Sequence, residues 1–482
     1  MGNSSASKGL GTHPKLETII PVKDWSGPYD KENPYNWTNA RKIYHTAVPS
    51  AFAFVVTIAS SIYIPGIELI RQQFHVSMTI ALLPYSFYVF GQAWGPVLAA
   101  PLSETFGRRG TYAPYLFLFA LFTLGAGLSQ SIAAITICRF LAGVFGSPVL
   151  SVSAGTIADI WVPQDRAIPM AFLVLIPFLG PSFGPLISGF TVPAKGWRWT
   201  QWILLFIAIA ASLFAIGMRE TYKKVLLNRR AKKLGVPGPD GFQLSLSRRM
   251  NLLLTSTLFR PWNMFFTEII VGTFAFYIGF NFAIYYSLFA ALPYIFIKTY
   301  DFDLGSQGLV FLGLAVGNVV AFMLVVVFSR ISYRNTVQAI NAGKAINPPP
   351  EKRLLLALIG SIFVPVGLFW CGWSARPSVH WIVSIVGSAI FAFGNFLVFM
   401  SYAIYVIDVY GASVGASATA TVAMVRSLLG AAFPLFTIQM YECLGIAWAT
   451  SLLAFIVLAL TPVPWILYRF GPVIRSKSQY IS

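Results

Sequence analysis

Twelve predominantly apolar runs, each about the length of a bilayer crossing, follow one another along the chain and constrain its fold more than any other feature. A helix needs about 20 apolar residues to cross the hydrocarbon core. The runs cover residues 46–66, 79–101, 111–130, 132–156, 167–190, 199–218, 269–296, 304–328, 354–372, 381–407, 412–436 and 446–468. They lack the ten-residue alternation of barrel strands. Because lipid offers no hydrogen-bond partner, each run must satisfy its backbone internally, as a helix. The expected fold is therefore an all-α integral membrane protein with twelve transmembrane helices. Ser131 divides two closely spaced runs, and Pro293 is expected to kink or end the seventh. Composition agrees: 10% of the 482 residues are charged and 56% are hydrophobic, against about 25% charged in a soluble domain. That excludes a soluble enzyme, a nucleic-acid-binding domain and a disordered chain.

The net charge of +18 becomes informative once the charges are placed. With both termini cytosolic, the inner tails and loops hold 27 Lys and Arg and the outer loops hold five. Such a bias sets orientation. Residues 219–263, with Lys223, Lys224, Arg229, Arg230, Lys232 and Lys233, divide the spans six and six. The layout reads as a cytosolic tail (1–45), a six-helix bundle (46–218), a basic loop beside anionic lipid (219–263), a second bundle (264–468) and a cytosolic tail (469–482). The sequons at Asn3 and Asn36 then face the cytosol and carry no glycan.

Three segments combine polar or small residues with the membrane pattern. Between the second and third runs stands Pro101-Leu102-Ser103-Glu104-Thr105-Phe106-Gly107-Arg108-Arg109. The glycine permits a tight turn, and Glu104 can cap a helix or pair with an arginine. In the fourth run Arg139 precedes Gly143 and Gly146; an arginine in lipid needs a partner or an aqueous cavity, either a structural pairing or a functional site. In the fifth, Gly180-Pro181 and Gly184-Pro185 lead to Ser188 and Gly189, a small-residue face for close helix contact.

These segments resemble signatures of the major facilitator superfamily. The loop is similar to its motif between helices 2 and 3, with Glu104 where Asp is usual, and Arg139 with Gly143 is similar to its helix 4 pattern. The helix 5 segment, with Gly180, Pro181, Gly184, Pro185 and Gly189, resembles the signature of its antiporter branch. Asn33-Pro34-Tyr35-Asn36-Trp37, the stretch from Arg426 to Phe436, and Tyr468-Arg469-Phe470-Gly471 resemble fungal twelve-spanning drug:proton antiporters. The resemblance implies two bundles rocking about a midplane site. It also implies a conformational latch of Glu104, Gly107, Arg108 and Arg109, and export of drugs, polyamines or fungal secondary metabolites such as mycotoxins. The expected location is the plasma membrane, with the vacuolar membrane as the alternative. The expected partners are a small-molecule substrate, protons and lipid, with no nucleic acid, and the unit is a monomer.

No cofactor is expected: Gly343-Lys344 lacks the rest of a Walker A loop, so transport draws on an ion gradient or runs downhill. Proton coupling normally needs a titratable group within the membrane. The central halves of the runs contain no Asp or Glu, which leaves Glu268 and Asp408 near helix ends, with Arg139 and Arg426 as expected charge partners, and Asp159 at the rim. Candidate cavity faces are Tyr85, Tyr88 and Gln92 on helix 2, Tyr277, Asn281 and Tyr285 on helix 7, and Asn395, Phe399 and Tyr402 on helix 10. Buried Asn and Tyr need hydrogen-bond partners, from neighbouring helices or from a substrate. An aromatic interior with few charges suits a lipophilic, hydrogen-bonding molecule. A proton-coupled uptake symporter is the rival transport reading. A membrane enzyme would need a catalytic base beside a partner, and His13, His45, His75 and His380 lie in tails, loops or helix ends with none.

Overall fold

A computed structural model describes residues 24–162, 165–236, 260–341 and 349–480. The side chain of Glu104, the sequon at Asn3 and the loop residues 237–259 lie outside the described set. Each of the twelve runs coincides with a helix, broken in places. The first six are α1 (Asn39–Ser61), α2 (Met78–Phe106), α3 (Arg108–Leu128), α4 (Ile132–Ile160), α5 (Ala167–Lys195) and α6 (Arg198–Phe214). The second six are α7 (Ile269–Tyr300), α8 (Leu304–Ser332), α9 (Leu355–Ser374), α10 (Trp381–Gly411), α11 (Ser417–Ala432 bent by 47° into Pro434–Leu444) and α12 (Ile446–Arg475).

Among the described residues nine helices are long and apolar enough to cross a bilayer, and the bent α11 makes ten. The other two are α2, of 29 residues, and α6, an apolar helix of 17. Helix ends follow local chemistry. Ser77, Ser131 and Asp303 accept from backbone N–H groups in the first turns of α2, α4 and α8. Gly107 and Gly411 take positive φ, 86° and 70°, where the chain reverses between α2 and α3 and between α10 and α11. Of the two outcomes expected at Pro293, a kink or an end, the end is not found. α7 continues through Pro293 to Tyr300 and closes on Asp301 in the left-handed region. A buried apolar helix can absorb one missing hydrogen bond when its neighbours hold it.

The first six helices pack mainly on one another, as do the second six, and the two groups meet along α2 with α11 and α5 with α8. The helix Lys223–Leu234 lies over one end of the first bundle, burying Val225, Leu227 and Ala231. It is tied to the N-terminal segment by Arg230 and Asp30, 2.6 Å apart. Arg230 and two backbone N–H groups hold the Asp30 carboxyl down at about 2. A depressed carboxylate stabilises the folded form above its unfolded pKa, so this clasp weakens only as pH falls toward about 2.

Candidate functional site

Two acids outside the motif, Glu220 and Asp159, hold the turn between α2 and α3. Glu220, after α6, accepts through Oε1 from the backbone N–H of Arg108 (2.8 Å), Thr221 (3.0 Å) and Tyr222 (2.9 Å). The Arg108 Nε donates to Asp159 Oδ2 of α4 at 2.9 Å, its Nη1 donates to Ser103 Oγ at 2.9 Å, and its guanidinium lies 4.7 Å from the Tyr222 ring. Arg109 points to solvent. Arg108 thus joins α2, α4 and the segment after α6, a clasp within the first bundle. Glu220 escaped sequence reading. Its signal was an acid directly after the sixth run on the cytosolic side, in reach of the free N–H groups that begin α3.

Arg139 is buried, 1% exposed, yet meets no carboxylate among the described residues. Its Nη2 donates to the Ala59 carbonyl of α1 at 2.8 Å, and its plane lies 4.6 Å from Tyr88 and 5.3 Å from Tyr63. The expected pairing of Glu268 and Asp408 with Arg139 and Arg426 is not found. The rim supplies closer partners. Glu268, 3% exposed, accepts from the Tyr410 hydroxyl (2.8 Å), the Ser478 hydroxyl (2.7 Å) and the Gln479 N–H (3.0 Å). Asp408 pairs with Arg353 at 2.8 Å. Glu268 therefore anchors the C-terminal tail. In Glu268→Ala, trypsin is expected to cut after Lys477 several-fold faster than in the native protein, and equal rates would show that the tail is held elsewhere.

The helix 5 motif divides its contacts between the bundles. Gly180 abuts Thr57 and Ile58 of α1, Gly184 abuts Ser61 and Ile62, and Ser61 Oγ donates to the Pro181 carbonyl at 2.6 Å. Farther out, Gly189 faces the Leu304 carbonyl of α8. A methyl group at Gly308 would lie 2.6 Å from the Pro185 oxygen. These residues let two backbones touch across the bundle interface, which larger side chains would prevent.

The three predicted polar faces separate in the structure. Tyr85 donates to the Tyr286 carbonyl (3.0 Å), and Tyr285 donates to the Phe178 carbonyl (2.9 Å), both across the bundle interface. Tyr286 also bonds Ser60 of α1 at 3.2 Å. Tyr88 instead donates within its own bundle, to Val56. Tyr402 reaches the Ala418 carbonyl at 3.4 Å. Asn281 Nδ2 donates to the Tyr277 carbonyl at 2.8 Å. Gln92 Nε2, the Tyr277 hydroxyl, Asn281 Oδ1 and Asn395 Nδ2 are buried without hydrogen-bond partners among the described residues. Phe399 stacks edge-on with Phe178 at 5.3 Å and lies 5.2 Å from the Arg426 guanidinium. Sequence reading missed Phe178 and Tyr286. Helical spacing selects the set 277, 281 and 285 but does not say which neighbouring face meets the other bundle.

This architecture recurs in known proteins. The Major Facilitator Superfamily profile matches residues 50–434. Polyamine transporter 4 of Saccharomyces cerevisiae is 36% identical over 95% of this chain and 73% of its own length. The citrinin biosynthesis cluster MFS transporter mrr1 of Monascus ruber is 36% identical over 96% of this chain and 92% of its own. The solved structure of the proton:xylose symporter XylE superposes with a TM-score of 0.61 at 14% identity, over 90% of this chain and 97% of that one, which shows a shared fold. Matched across most of its length by the profile, and nearly end to end by relatives with more than a third of its residues, the chain belongs to the Major Facilitator Superfamily.

Proposed function

We propose that this transporter is a secondary active exporter of a lipophilic small molecule, such as a fungal secondary metabolite, working by alternating access at the plasma membrane in exchange for protons. One observation carries the reading. The bonds joining the bundles near the middle of the helices are between neutral groups: Tyr85 to Tyr286, Tyr285 and Asn318 to Phe178, and Tyr286 to Ser60. Neutral bonds of this kind contribute about 0.5–1.5 kcal/mol each. The interface can part and re-form without stranding a buried charge, as rocking bundles require. The aromatic interior supports a lipophilic cargo, and the relative from a citrinin biosynthesis cluster supports a secondary metabolite. The helix 5 motif supports exchange over symport. A polyamine is disfavoured, because a polycation needs acids and the central halves of the membrane runs carry Arg139 and Arg426 but no Asp or Glu.

Inside-out vesicles from expressing cells test this reading with a panel of anionic, neutral and cationic lipophilic fluorophores. The expected result is gradient-driven accumulation of at least one class, abolished by a protonophore. Nigericin and valinomycin then separate the pH gradient from the potential. Accumulation no greater than in control vesicles, or only in right-side-out ones, would contradict export.

A further inference from the structure

The transport reading leaves Arg426 without a role. It lies on α11 nine positions beyond Ser417, about 14 Å along the helix. Arg139 shows how this chain settles a membrane arginine, with a carbonyl acceptor and two stacked tyrosines. Arg426 is treated otherwise. Among the described residues it donates no hydrogen bond and has no carboxylate within ion-pair distance; its buried Nε, like that of Arg139, has no partner. Its guanidinium lies 4.9 Å from the ring of Phe282 on α7 and 5.2 Å from that of Phe399 on α10.

The surroundings have the form of a binding wall. Arg426, Phe282 and Phe399 are each partly exposed within the inner stretches of their helices, while Asn281, Val398 and Ser427 beside them are buried. Tyr286 packs on Phe282 at 4.6 Å, and Phe178 packs on Phe399 at 5.3 Å. One helical turn from Phe399, the side chain of Asn395 is 4% exposed and its Nδ2 donates to nothing. Rings against the guanidinium offset part of its desolvation. They leave its N–H edge, a planar fork that matches a carboxylate, without an acceptor. A buried charge is normally paired, so a cation kept in the membrane without an acid points to a partner that comes and goes.

We propose that Arg426 is the anion-binding residue of the transport site, and that the cargo is an aromatic or polycyclic molecule bearing one carboxylate or a comparably acidic enol. This rests on the export reading above for its direction, though not for its chemistry. The acid docks on the guanidinium edge, and its ring system lies along Phe282 and Phe399. Asn395 Nδ2 is the second donor on that wall. One arginine sets one negative charge, and the lack of an acid in the central halves of the facing helices rejects cations.

Equilibrium binding to the purified full-length protein tests the assignment with three probes that share a ring system: 1-pyrenebutyrate, its methyl ester and 1-pyrenebutylamine. The butyrate is expected to bind at least tenfold more tightly than the ester or the amine. Arg426→Gln should remove that preference and leave ester binding unchanged. Arg426→Lys should keep part of it, since the charge survives and the fork does not. Equal or tighter binding of the amine, no binding of the butyrate, or an unchanged preference in Arg426→Gln would overturn the assignment. If Arg426→Gln loses all three probes, Arg426→Lys decides: a retained butyrate preference supports the site, and none overturns it. Vesicle export of the panel with no anion preference would remove this assignment and leave export standing. A butyrate preference in binding without any export would do the reverse.

Discussion

Arg108→Ala is expected to lower transport at least tenfold at unchanged abundance in the membrane, while Arg109→Ala leaves it within about twofold. The two arginines are adjacent in the motif but differ in environment. Arg108 is mostly buried, with its side chain 12% exposed, and is bonded to Asp159, itself 17% exposed. Removing one partner of a buried pair strands the other charge and costs about 3–5 kcal/mol; at this rim, with some water access, the lower end applies. Arg109 is exposed and makes only a surface contribution. Asp159→Asn should mimic Arg108→Ala in part, because Ser103 and the Tyr222 ring still hold the guanidinium. Initial transport rates normalised to surface protein measure all three. Equal effects of Arg108→Ala and Arg109→Ala would mean that the motif acts through net charge, not through this clasp.

Gly308→Val should be the second most damaging substitution, through a different mechanism. Its Cβ would meet the Pro185 carbonyl at 2.6 Å and the Leu186 Cα at 3.2 Å, all on rigid helices of opposite bundles. Overpacking of this kind typically costs about 1–3 kcal/mol. Here it is relieved by parting α5 from α8, so the energy becomes a bias toward the conformation in which the outer ends separate. Transport should fall at least tenfold, and a cysteine placed beside Gly189 should react faster with an impermeant thiol reagent added outside. Unchanged labelling with lost transport would mean that the substitution damages folding and leaves the gate alone. Gly196, with open space around its Cβ but a φ of 82°, is a useful contrast: alanine there strains only a surface turn.

The helical plan was legible because span length rests on one dominant energy. Burying apolar surface in lipid set the helices, while the distribution of Lys and Arg gives an expected orientation. Even the departures are local. The 17-residue α6 gives way to a turn after Phe214, and α7 runs on through Pro293. The site was less legible, because it depends on which helices face one another. Arg108, Gly107 and the helix 5 glycines are found at contacts, since their motifs encode close approach in sequence. The acids are not: Asp408 and Glu268 are settled by Arg353 and by the tail residues Ser478 and Gln479, the tail partners being about 210 positions from Glu268. Tyr286 was invisible for the same reason, one position away from the face that periodicity selects on helix 7, and Phe178 stands on helix 5, where no aromatic face was selected.

An anionic cargo also changes the energetics of export. Moving one negative charge out of a cell whose interior is negative releases about 2.3 kcal/mol per 100 mV. An exporter built around Arg426 can draw on that potential even though its membrane interior lacks an acid to carry a proton. Protons then remain as counter-ions bound elsewhere or on the cargo itself, and comparison of nigericin with valinomycin separates the two drives.

Direction of transport is the central claim, and comparative metabolite profiling tests it most directly. Cells and medium are compared with the gene deleted and overexpressed, with and without a protonophore. The account predicts a lipophilic, acidic compound that moves into the medium with expression and returns to the cells when the gradient is collapsed. Accumulation of that compound inside the expressing cells would contradict export and make the protein an importer.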